Sequence, residues 1–279
     1  MKRTSKPSRR GLLAGGVALL TAPMILGRPA LAITPDEVKK RSKIIVGIQG
    51  DNPPWGFVNS TGVQEGFDAD VAALYAKELG VKLEFVPLEI ANRIPSLTAG
   101  RVDCLFATMA MLPDRAKAVQ FSKPYVANII VLVAPKATEI KTNADMGKLT
   151  IAVPRASAQD TQVTKNAPPG TNILRLDGDA AAIQAGISGQ ATAVGGNMFY
   201  IDRFNEAKPG VWENKLEFTR IYNGACTRLG EKEMNASVNA FIDQAKANGT
   251  LAKAHEKWMK RPLPESFPES IDGAPFVAS

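Results

Sequence analysis

The sequence predicts an α/β protein folded as two lobes, each with a mixed sheet covered by helices. Three observations support this class. Short apolar runs typical of strands alternate with helical patterns along most of the chain. The alternation restarts after "FSKPYVAN" (121–128), as expected for two successive α/β units. The 279 residues are also enough for two lobes of ordinary size.

The first unit has βαβαβ order, which implies a mainly parallel sheet. A strand at 43–49 leads through the loop "DNPPWGF" to a helix at 67–80. Asp68 or Asp70 is the expected cap of this helix, and Gly80 ends it. There follow a strand at 81–88, a helix at 93–100 ending at Gly100, a strand at 102–108, and a helix within 113–121 opened by Pro113.

The second unit repeats the alternation. Its predicted elements are strands at 129–135 and 148–154, a helix at 157–167, a strand at 172–176, a helix at 179–189, a strand at 191–196 and a helix at 197–207. The last third of the chain adds a strand within "IYNGACTRLG" and amphipathic helices at 231–249 and 251–260. The Pro-rich tail, 261–276, is expected to be mobile or extended over the surface.

Residues 1–32 are predicted to be an export signal that is cleaved after Ala32. A cationic start, "MKRTSKPSRR", precedes the apolar run "GLLAGGVALLTAPMIL" and an A-x-A site. "SRRGLL" resembles a twin-arginine signal. A retained anchor is the alternative, but the run is short for a span, and no later segment is apolar for the roughly 18 residues that a span needs. We therefore expect a soluble periplasmic protein that begins at Ile33.

The formal charge of +7 originates in this signal. It contains six of the 34 Lys and Arg residues and no acid, which leaves 28 basic against 27 acidic residues. A nearly neutral mature chain offers no broad basic surface, so we expect no nucleic-acid partner.

The two cysteines, Cys104 and Cys226, lie in strand-like runs. Two cysteines are too few for a cysteine zinc cluster or a disulfide scaffold. They are either small buried hydrophobic residues or, in an oxidising compartment, one bridge. The sequence leaves both possibilities open.

Five motifs together resemble the extracytoplasmic solute-binding proteins of ATP-driven polar amino-acid importers, the bacterial extracellular solute-binding proteins of family 3. The motifs are "VGIQGDNPPWGF", "GFDADVAALYAKELG", "NRIPSLTAGRVDCLFAT", "PDRAKAVQFSKPY" and "GACTRLGEKEMNASVNAFI". The resemblance implies the type II periplasmic-binding fold, with a ligand cleft between the lobes. Lobe 1 would comprise 33–124 and 223–279, lobe 2 would comprise 129–218, and crossovers would lie near 124–128 and 217–222.

The resemblance places a carboxylate-binding group in lobe 1. Arg115, after "LPD", matches an Arg that grips the ligand α-carboxylate, a task that suits a planar guanidinium fork. Thr108 matches a residue that offers a hydroxyl or amide donor to the same carboxylate. Ala110 stands where relatives often have Ser or Thr, so one hydroxyl contact is missing.

The loop after the first strand supplies further candidates. Trp55 matches an aromatic residue in or beside the cleft, where a ring gives a large contact area. Gln49 matches a position that tunes ligand charge, and here it is neutral. Asn52 flanks the same loop, and Ile90 completes the lobe 1 candidates.

Arg93 is a cation in a first helical turn, where the helix dipole favours negative charge. Asn92 is expected to cap this helix, whose amides face the inter-lobe side at the carboxyl end of a strand. In relatives that take aspartate or glutamate, the matching Arg binds the side-chain carboxylate. A solvated surface charge is the competing interpretation.

In lobe 2, Ser157 and Ala158 match a loop whose amides and hydroxyls contact the ligand carboxylate, with Arg155 as an additional cation nearby. Asn197 stands where relatives that bind α-amino acids usually carry Asp for the ligand ammonium. With that acid missing and Gln49 neutral, Arg93 and Arg115, with Arg155 as a third candidate, are expected to make the cleft positive. The hypothesis is an anionic ligand, either an acidic amino acid or a carboxylate without an amine.

Other functions are less well supported by the sequence. Cyclohexadienyl dehydratases share this fold but need a general acid in the cleft, and the matching position holds Tyr200, a poor proton donor at neutral pH. His255, the only histidine, lies in a charged helix and is expected at or near the surface, away from any site. A periplasmic sensor or adaptor is the third possibility. We expect a monomer that partners an ABC permease, with no enzyme activity, no cofactor and no metal.

Overall fold

A computed structural model describes residues 32–277 of the chain. The predicted export signal, apart from Ala32, lies outside these residues.

The first part of the chain forms four strands of one sheet together with the other elements around them. In chain order they are α1 (Pro35–Lys40), β1 (Lys43–Ile48), β2 (Asp51–Asn52), β3 (Gly56–Val58), β4 (Gln64–Glu65), α2 (Phe67–Leu79), β5 (Lys82–Pro87), α3 (Ile90–Thr98), β6 (Cys104–Leu105), α4 (Pro113–Ala116) and β7 (Val119–Phe121). Helix α1 and the small β2–β3–β4 sheet were not expected from the sequence.

The remaining elements build a second sheet and then return to the first. They are β8 (Val126–Pro135), a 3-10 helix (Asn143–Lys148), β9 (Thr150–Pro154), α5 (Ala158–Asn166), β10 (Asn172–Leu176), α6 (Gly178–Ser188), β11 (Ala193–Asn197), α7 (Tyr200–Ala207), β12 (Trp212–Asn223), β13 (Cys226–Arg228), α8 (Lys232–Ala247) and α9 (Thr250–Met259).

Two mixed five-stranded sheets organise the fold, as the sequence predicted. The first has the order β5-β1-β6-β13-β7, with β1 parallel to β5 and β6. The second has the order β10-β9-β11-β8-β12, with β9 parallel to β10 and β11. We call the parts of the chain built on these sheets lobe 1 and lobe 2. At their meeting point β8 and β12 pair antiparallel, with Asn128 opposite Ile221 and Val126 opposite Asn223.

Two predicted helix caps are wrong. Helix α2 begins after Gly66, whose positive φ of 122° favours glycine, and Asp68 is buried instead of capping. Helix α3 begins at Ile90 with Glu89 as its N-cap, so Asn92 is an interior residue of the first turn. Gly80 ends α2 in the left-handed conformation, as predicted.

The helix predicted from Pro113 onward is also shorter than expected. It ends at Ala116, and Val119–Phe121 forms strand β7 because it pairs antiparallel with β13 in the sheet. Burial on the sheet outweighs helical patterning here.

Cys104 and Cys226 are buried free thiols. Cys226 lies directly opposite Leu105, and successive residues of a strand face opposite sides of the sheet. Consistent with this, the two cysteines pack in different hydrophobic clusters. Of the two possibilities left by the sequence, the structure shows buried hydrophobic residues.

The Pro-rich tail lies against lobe 1. Ala274 and Phe276 are buried beside Val119 and Phe121, and Asn239 donates a hydrogen bond to the Phe276 carbonyl. His255 is buried rather than at the surface, with Nδ1 2.9 Å from the Arg261 carbonyl oxygen.

Candidate functional site

A small cavity lies between the two lobes. Its polar residues follow the carboxyl ends of strands from both sheets, where ligands bind in open α/β folds. All sequence-predicted site residues except Trp55 line it: Gln49, Asn52, Ile90, Arg93, Thr108, Ala110, Arg115, Ser157, Ala158 and Asn197. Sequence reasoning missed four others, Asn128, Gln159, Asp179 and Ile221.

Arg93 is buried in the cavity wall, 2% exposed, which excludes the solvated surface charge. Its Nη1 donates to the Ala107 carbonyl at 2.7 Å and its Nε to the Leu88 carbonyl at 3.4 Å. Its Nη2 is buried and has no hydrogen-bond partner within residues 32–277. Burial lowers the pKa of Arg93, but surrounding carboxylates, with Asp179 first, oppose this effect. The backbone bonds fix the guanidinium and leave one donor for a ligand.

Arg115 is the second cation of the cavity, at the end of the short helix α4. Its Nη1 donates to the Ala110 carbonyl at 3.4 Å, and its Nη2 reaches the Ala156 carbonyl of lobe 2 at 3.1 Å. Burial, followed by the charge of Arg93, lowers the pKa of Arg115 to about 10. The group therefore keeps its charge at neutral pH, and a carboxylate could replace its long 3.4 Å bond to the Ala110 carbonyl, since a charge-assisted bond is stronger.

The backbone amide of Thr108 is fixed by the Asp68 carboxylate. The Thr108 amide donates to Asp68 Oδ2 at 2.7 Å, and the Tyr125 hydroxyl donates to Oδ1 at 2.7 Å. Burial raises the pKa of Asp68 to about 6. The Thr108 hydroxyl donates to Gln49 Oε1. Both Thr108 donors are thus engaged within lobe 1, so the expected donor function requires a ligand to displace Gln49.

Asp179 is the acidic residue of the cavity lining, and the sequence analysis missed it. It lies in the first turn of α6, beside the loop that carries Ser157. It accepts hydrogen bonds from four neutral donors: Gln49 and Asn52 of lobe 1, and Gln159 and Tyr200 of lobe 2. Burial, followed by the nearby charge of Asp51, raises the pKa of Asp179 to about 7. The available signal was "DGDAAA" at the carboxyl end of a predicted parallel strand.

Asn197 is fully buried at the end of β11. Its Oδ1 accepts from the Phe199 amide at 2.9 Å, and its Nδ2 donates to Asn52 Oδ1 at 3.4 Å. Asn52 in turn donates to Asp179 at 3.2 Å. Asn197 therefore takes part in the amide network around Asp179.

Ser157 and Ala158 lie where β9 leads into α5. The Ser157 hydroxyl oxygen caps α5 by accepting from the Asp160 amide at 2.9 Å. Both residues line the cavity, so the start of α5 lies at the cavity wall, as at other anion-binding helix starts.

Trp55 is not a cavity residue, contrary to the sequence prediction. Its side chain is completely buried in the core, with its ring edge-to-face to Phe67 at 6.3 Å and to Phe199 at 5.7 Å. The tight loop that contains it folds back onto α2, and this places the large ring inside the protein.

The predicted charge of the cleft also needs correction. Arg155 does not line the cavity, because it is on the surface, paired with Asp177 at 3.3 Å and bonded to the Arg175 carbonyl. Asp179 adds an acid that the prediction lacked. The lining thus carries two guanidinium groups and one carboxyl group.

The lobes also meet directly beside the cavity. Asp51 Oδ2 of lobe 1 accepts from the Ala180 amide of α6 at 3.0 Å, and Arg203 donates to the Asp51 carbonyl at 3.0 Å. Gly178 has a φ of 83°, and a Cβ there would lie 2.6 Å from Asp51 Oδ2 and 2.7 Å from Glu89 Oε2. The start of α6 therefore fits closely against lobe 1.

The structure offers no support for the dehydratase alternative at Tyr200. Its hydroxyl donates to Asp179, and burial together with that carboxylate raises its pKa well above the usual value. Within residues 32–277, no group of His, Cys, Asp and Glu side chains is arranged to hold a metal ion. The same residues contain no helix with the length and apolar character of a membrane span.

Comparison with known proteins gives consistent matches. The glutamine-binding protein GlnH of Bacillus subtilis is 27% identical, with 80% of this chain and 83% of GlnH aligned. A mutant of ArgBP from T. maritima superposes with a TM-score of 0.76 at 28% identity, covering 82% of this chain and 100% of ArgBP. AncCDT-1, an ancestral amino-acid-binding protein described as a precursor of cyclohexadienyl dehydratase, has a TM-score of 0.73 at 31% identity, covering 81% and 99%.

The family model named bacterial extracellular solute-binding proteins, family 3, matches residues 44–261. This match spans both sheets and every residue of the cavity lining. The predicted family and fold are therefore confirmed: the chain belongs to the bacterial extracellular solute-binding proteins of family 3, the amino-acid-binding components of ABC transporters.

Proposed function

We propose that this protein captures an acidic amino acid or a related carboxylate in the periplasm and delivers it to an ABC permease. The observation that carries the proposal is the buried guanidinium of Arg93, whose Nη2 has no partner within residues 32–277 although it lines the cavity. A buried donor without an acceptor costs about 1–3 kcal/mol, and more when it is charged. A ligand carboxylate would remove that cost.

Arg115 supplies the second anion-binding group. Like-charged guanidinium groups in one small cavity repel each other, as the effect of Arg93 on the pKa of Arg115 shows. Two ligand carboxylates, one at each Arg, would relieve this repulsion. Lysine and arginine would instead bring a further cation towards Arg93.

Lobe closure is the proposed mechanism. Arg93 and Arg115 belong to lobe 1, whereas Ser157 and Asp179 belong to lobe 2, so a ligand in the cavity touches both. Such a ligand binds the closed state more tightly than the open state and shifts the population towards it. The closed surface would then dock onto the permease.

The proposed setting follows from the export signal and the relatives. We propose that residues 1–32 direct export and are removed after Ala32, leaving a monomeric periplasmic protein without a nucleic-acid partner. GlnH is by name an ABC transporter protein, which supports a permease as the partner. A sensor or adaptor role would use the same closed form with a receptor instead.

Isothermal titration calorimetry of the purified mature protein tests the ligand class. The panel comprises glutamate, aspartate, glutarate, succinate, glutamine, lysine and arginine. We expect tight binding among the dicarboxylates and weak binding of the basic amino acids. Tight binding of lysine or arginine would overturn the proposal.

A further inference from the structure

The hydrogen bonds of Asp179 do not account for the burial of its charge. The carboxylate is completely buried in a cavity wall, yet its partners within residues 32–277 are all neutral. Buried carboxylates are ordinarily paired with a cation, because removal from water is costly. The cavity beside it is the place from which a cation can arrive.

The charges of the lining give the chemistry of that cation. Arg93, Arg115 and Asp179 present two positive groups and one negative group. A dicarboxylate without an amine satisfies the two guanidinium groups but adds negative charge near Asp179. A ligand with two carboxylates and one ammonium group matches all three.

We propose that Asp179 accepts the ligand ammonium group and thereby makes the site selective for α-amino dicarboxylates, the acidic amino acids, over dicarboxylates without an amine. This inference rests on the proposed function, because it assigns the remaining part of the same site. In relatives the acid that binds the ammonium group matches position 197, which is Asn197 here. In this protein the acid would be Asp179, at the start of α6.

The hydrogen bonds around Asp179 allow this exchange. An ionised carboxylate has about four acceptor positions, and two of the present donors, Gln49 and Asn52, come from the opposite lobe. Those two donors separate from Asp179 when the lobes open. The Asn52 bond, at 3.2 Å, and the Gln159 bond, at 3.4 Å, are long. A charge-assisted bond from an ammonium group is stronger than either, so the ligand can replace them on closure.

Asn128 supplies a second, independent observation. Asn128 lines the same cavity, and its Oδ1 is buried and has no hydrogen-bond partner within residues 32–277. An unpartnered acceptor requires a donor from the ligand, and a dicarboxylate without an amine has none at neutral pH. An ammonium group with three N–H donors can serve more than one acceptor.

The decisive experiment compares matched ligand pairs on Asp179→Asn, with Asp177→Asn as the control. Asp177 lies two residues away, is exposed and pairs with Arg155 outside the cavity. Calorimetry measures glutamate against glutarate and aspartate against succinate for each protein. The readout is the ratio of affinities within a pair, which does not depend on the fraction of folded protein in the sample.

For wild type and Asp177→Asn we expect the amine-bearing ligand to bind at least about 30-fold more tightly than its partner. For Asp179→Asn we expect this ratio to fall to within about threefold, mainly through loss of affinity for the amino acid. An unchanged ratio would overturn the inference. If both ligands lost affinity equally, Asp179 would only join the lobes, and if neither lost affinity, Asp179 would have no part in binding.

Different binding results would contradict the proposed function and the inference about Asp179. If the wild type binds dicarboxylates without preference for an amine, the proposed function stands and this inference fails. If the wild type binds a neutral amino acid instead of the acidic ones, the proposed function fails. The role of Asp179 can still be tested, because the affinity for that amino acid can be compared with the affinity for the same acid without its amine, in wild type and in Asp179→Asn.

The wild type alone provides a second measurement, which needs no variant to fold. Asp179 faces Asp51, Arg93, Arg203 and Tyr200, and its pKa is raised to about 7. An ammonium group needs the ionised form, so the glutamate-to-glutarate ratio should fall as pH drops from 8 to 5.5, by up to about tenfold per unit below 7. A ratio constant over this range would overturn the inference.

Discussion

The two walls of the cavity differ in the charge that they offer a ligand. Lobe 1 contributes the guanidinium groups of Arg93 and Arg115, whereas lobe 2 contributes the carboxylate of Asp179 with hydroxyl and amide groups such as Ser157. Arg93 is fixed by bonds to backbone carbonyls of its own lobe, whereas Asp179 is held partly by side chains of the opposite lobe. Under the proposed function, lobe 1 would bind the carboxylates first and lobe 2 would complete the site on closure.

The largest expected effect comes from removing Arg115, the half-buried cation of lobe 1. Arg115→Ala should weaken binding of every carboxylate ligand by about 100-fold or more, because a buried carboxylate loses a charged donor. Titration calorimetry measures the loss. Lys117→Ala, an exposed neighbour paired with Asp114, is the control and should change little. Affinity retained within about threefold in Arg115→Ala would count against the assigned site.

Arg93 is expected to determine selectivity more than overall affinity. Arg93→Met should lower the affinity for glutamate by about 30-fold but that for glutamine only a fewfold, since glutamine has no side-chain carboxylate. Calorimetry with both ligands gives the ratio, and Arg101→Met, an exposed cation just beyond α3, is the control. An equal loss for both amino acids would assign Arg93 to a structural role.

The close fit of α6 against lobe 1 can be tested with two glycines of the same conformation. Gly178 and Gly189 both have a φ of 83°, but only a Cβ at Gly178 meets lobe 1; one at Gly189 has no atom of the described chain within 4 Å. Gly178→Ala should weaken the binding of all ligands by about tenfold, because the added Cβ opposes the closed state. The backbone strain of roughly 1 kcal/mol is common to both variants, so Gly189→Ala controls for it. Small-angle X-ray scattering with saturating ligand would then show a less compact protein; identical behaviour of the two variants would refute a contact specific to closure.

The smallest effect is expected at Arg155, which the sequence analysis placed near the ligand. The structure pairs it with Asp177 on the surface, and exposed pairs of this kind contribute little. Arg155→Gln should leave the affinity within about twofold of wild type by calorimetry. A loss above about fivefold would return Arg155 to the site as the third predicted cation of the cleft.

Much of the cavity wall was predictable because strand ends and helix starts can be read locally. Local patterns located these strand ends and helix starts, whereas Arg115 and Ser157 were picked out within them by the resemblance to the family. Trp55 was assigned wrongly and Asp179 was missed, both for the same reason. Whether a loop aromatic turns inward, and whether an acid at a helix start faces solvent or the opposite lobe, depends on residues distant in the sequence.

The sequence by itself determined the family, the α/β alternation and the identity of the polar groups, because periodicity and motif order are properties of neighbouring residues. Only the tertiary structure decided which of those groups share one cavity. The two lobes bring together residues more than a hundred positions apart, as in the bond between Gln49 and Asp179. The balance of two cations and one acid around the cavity is therefore a result of lobe packing. Of the two ligands left open by the sequence, an acidic amino acid or a carboxylate without an amine, it favours the acidic amino acid.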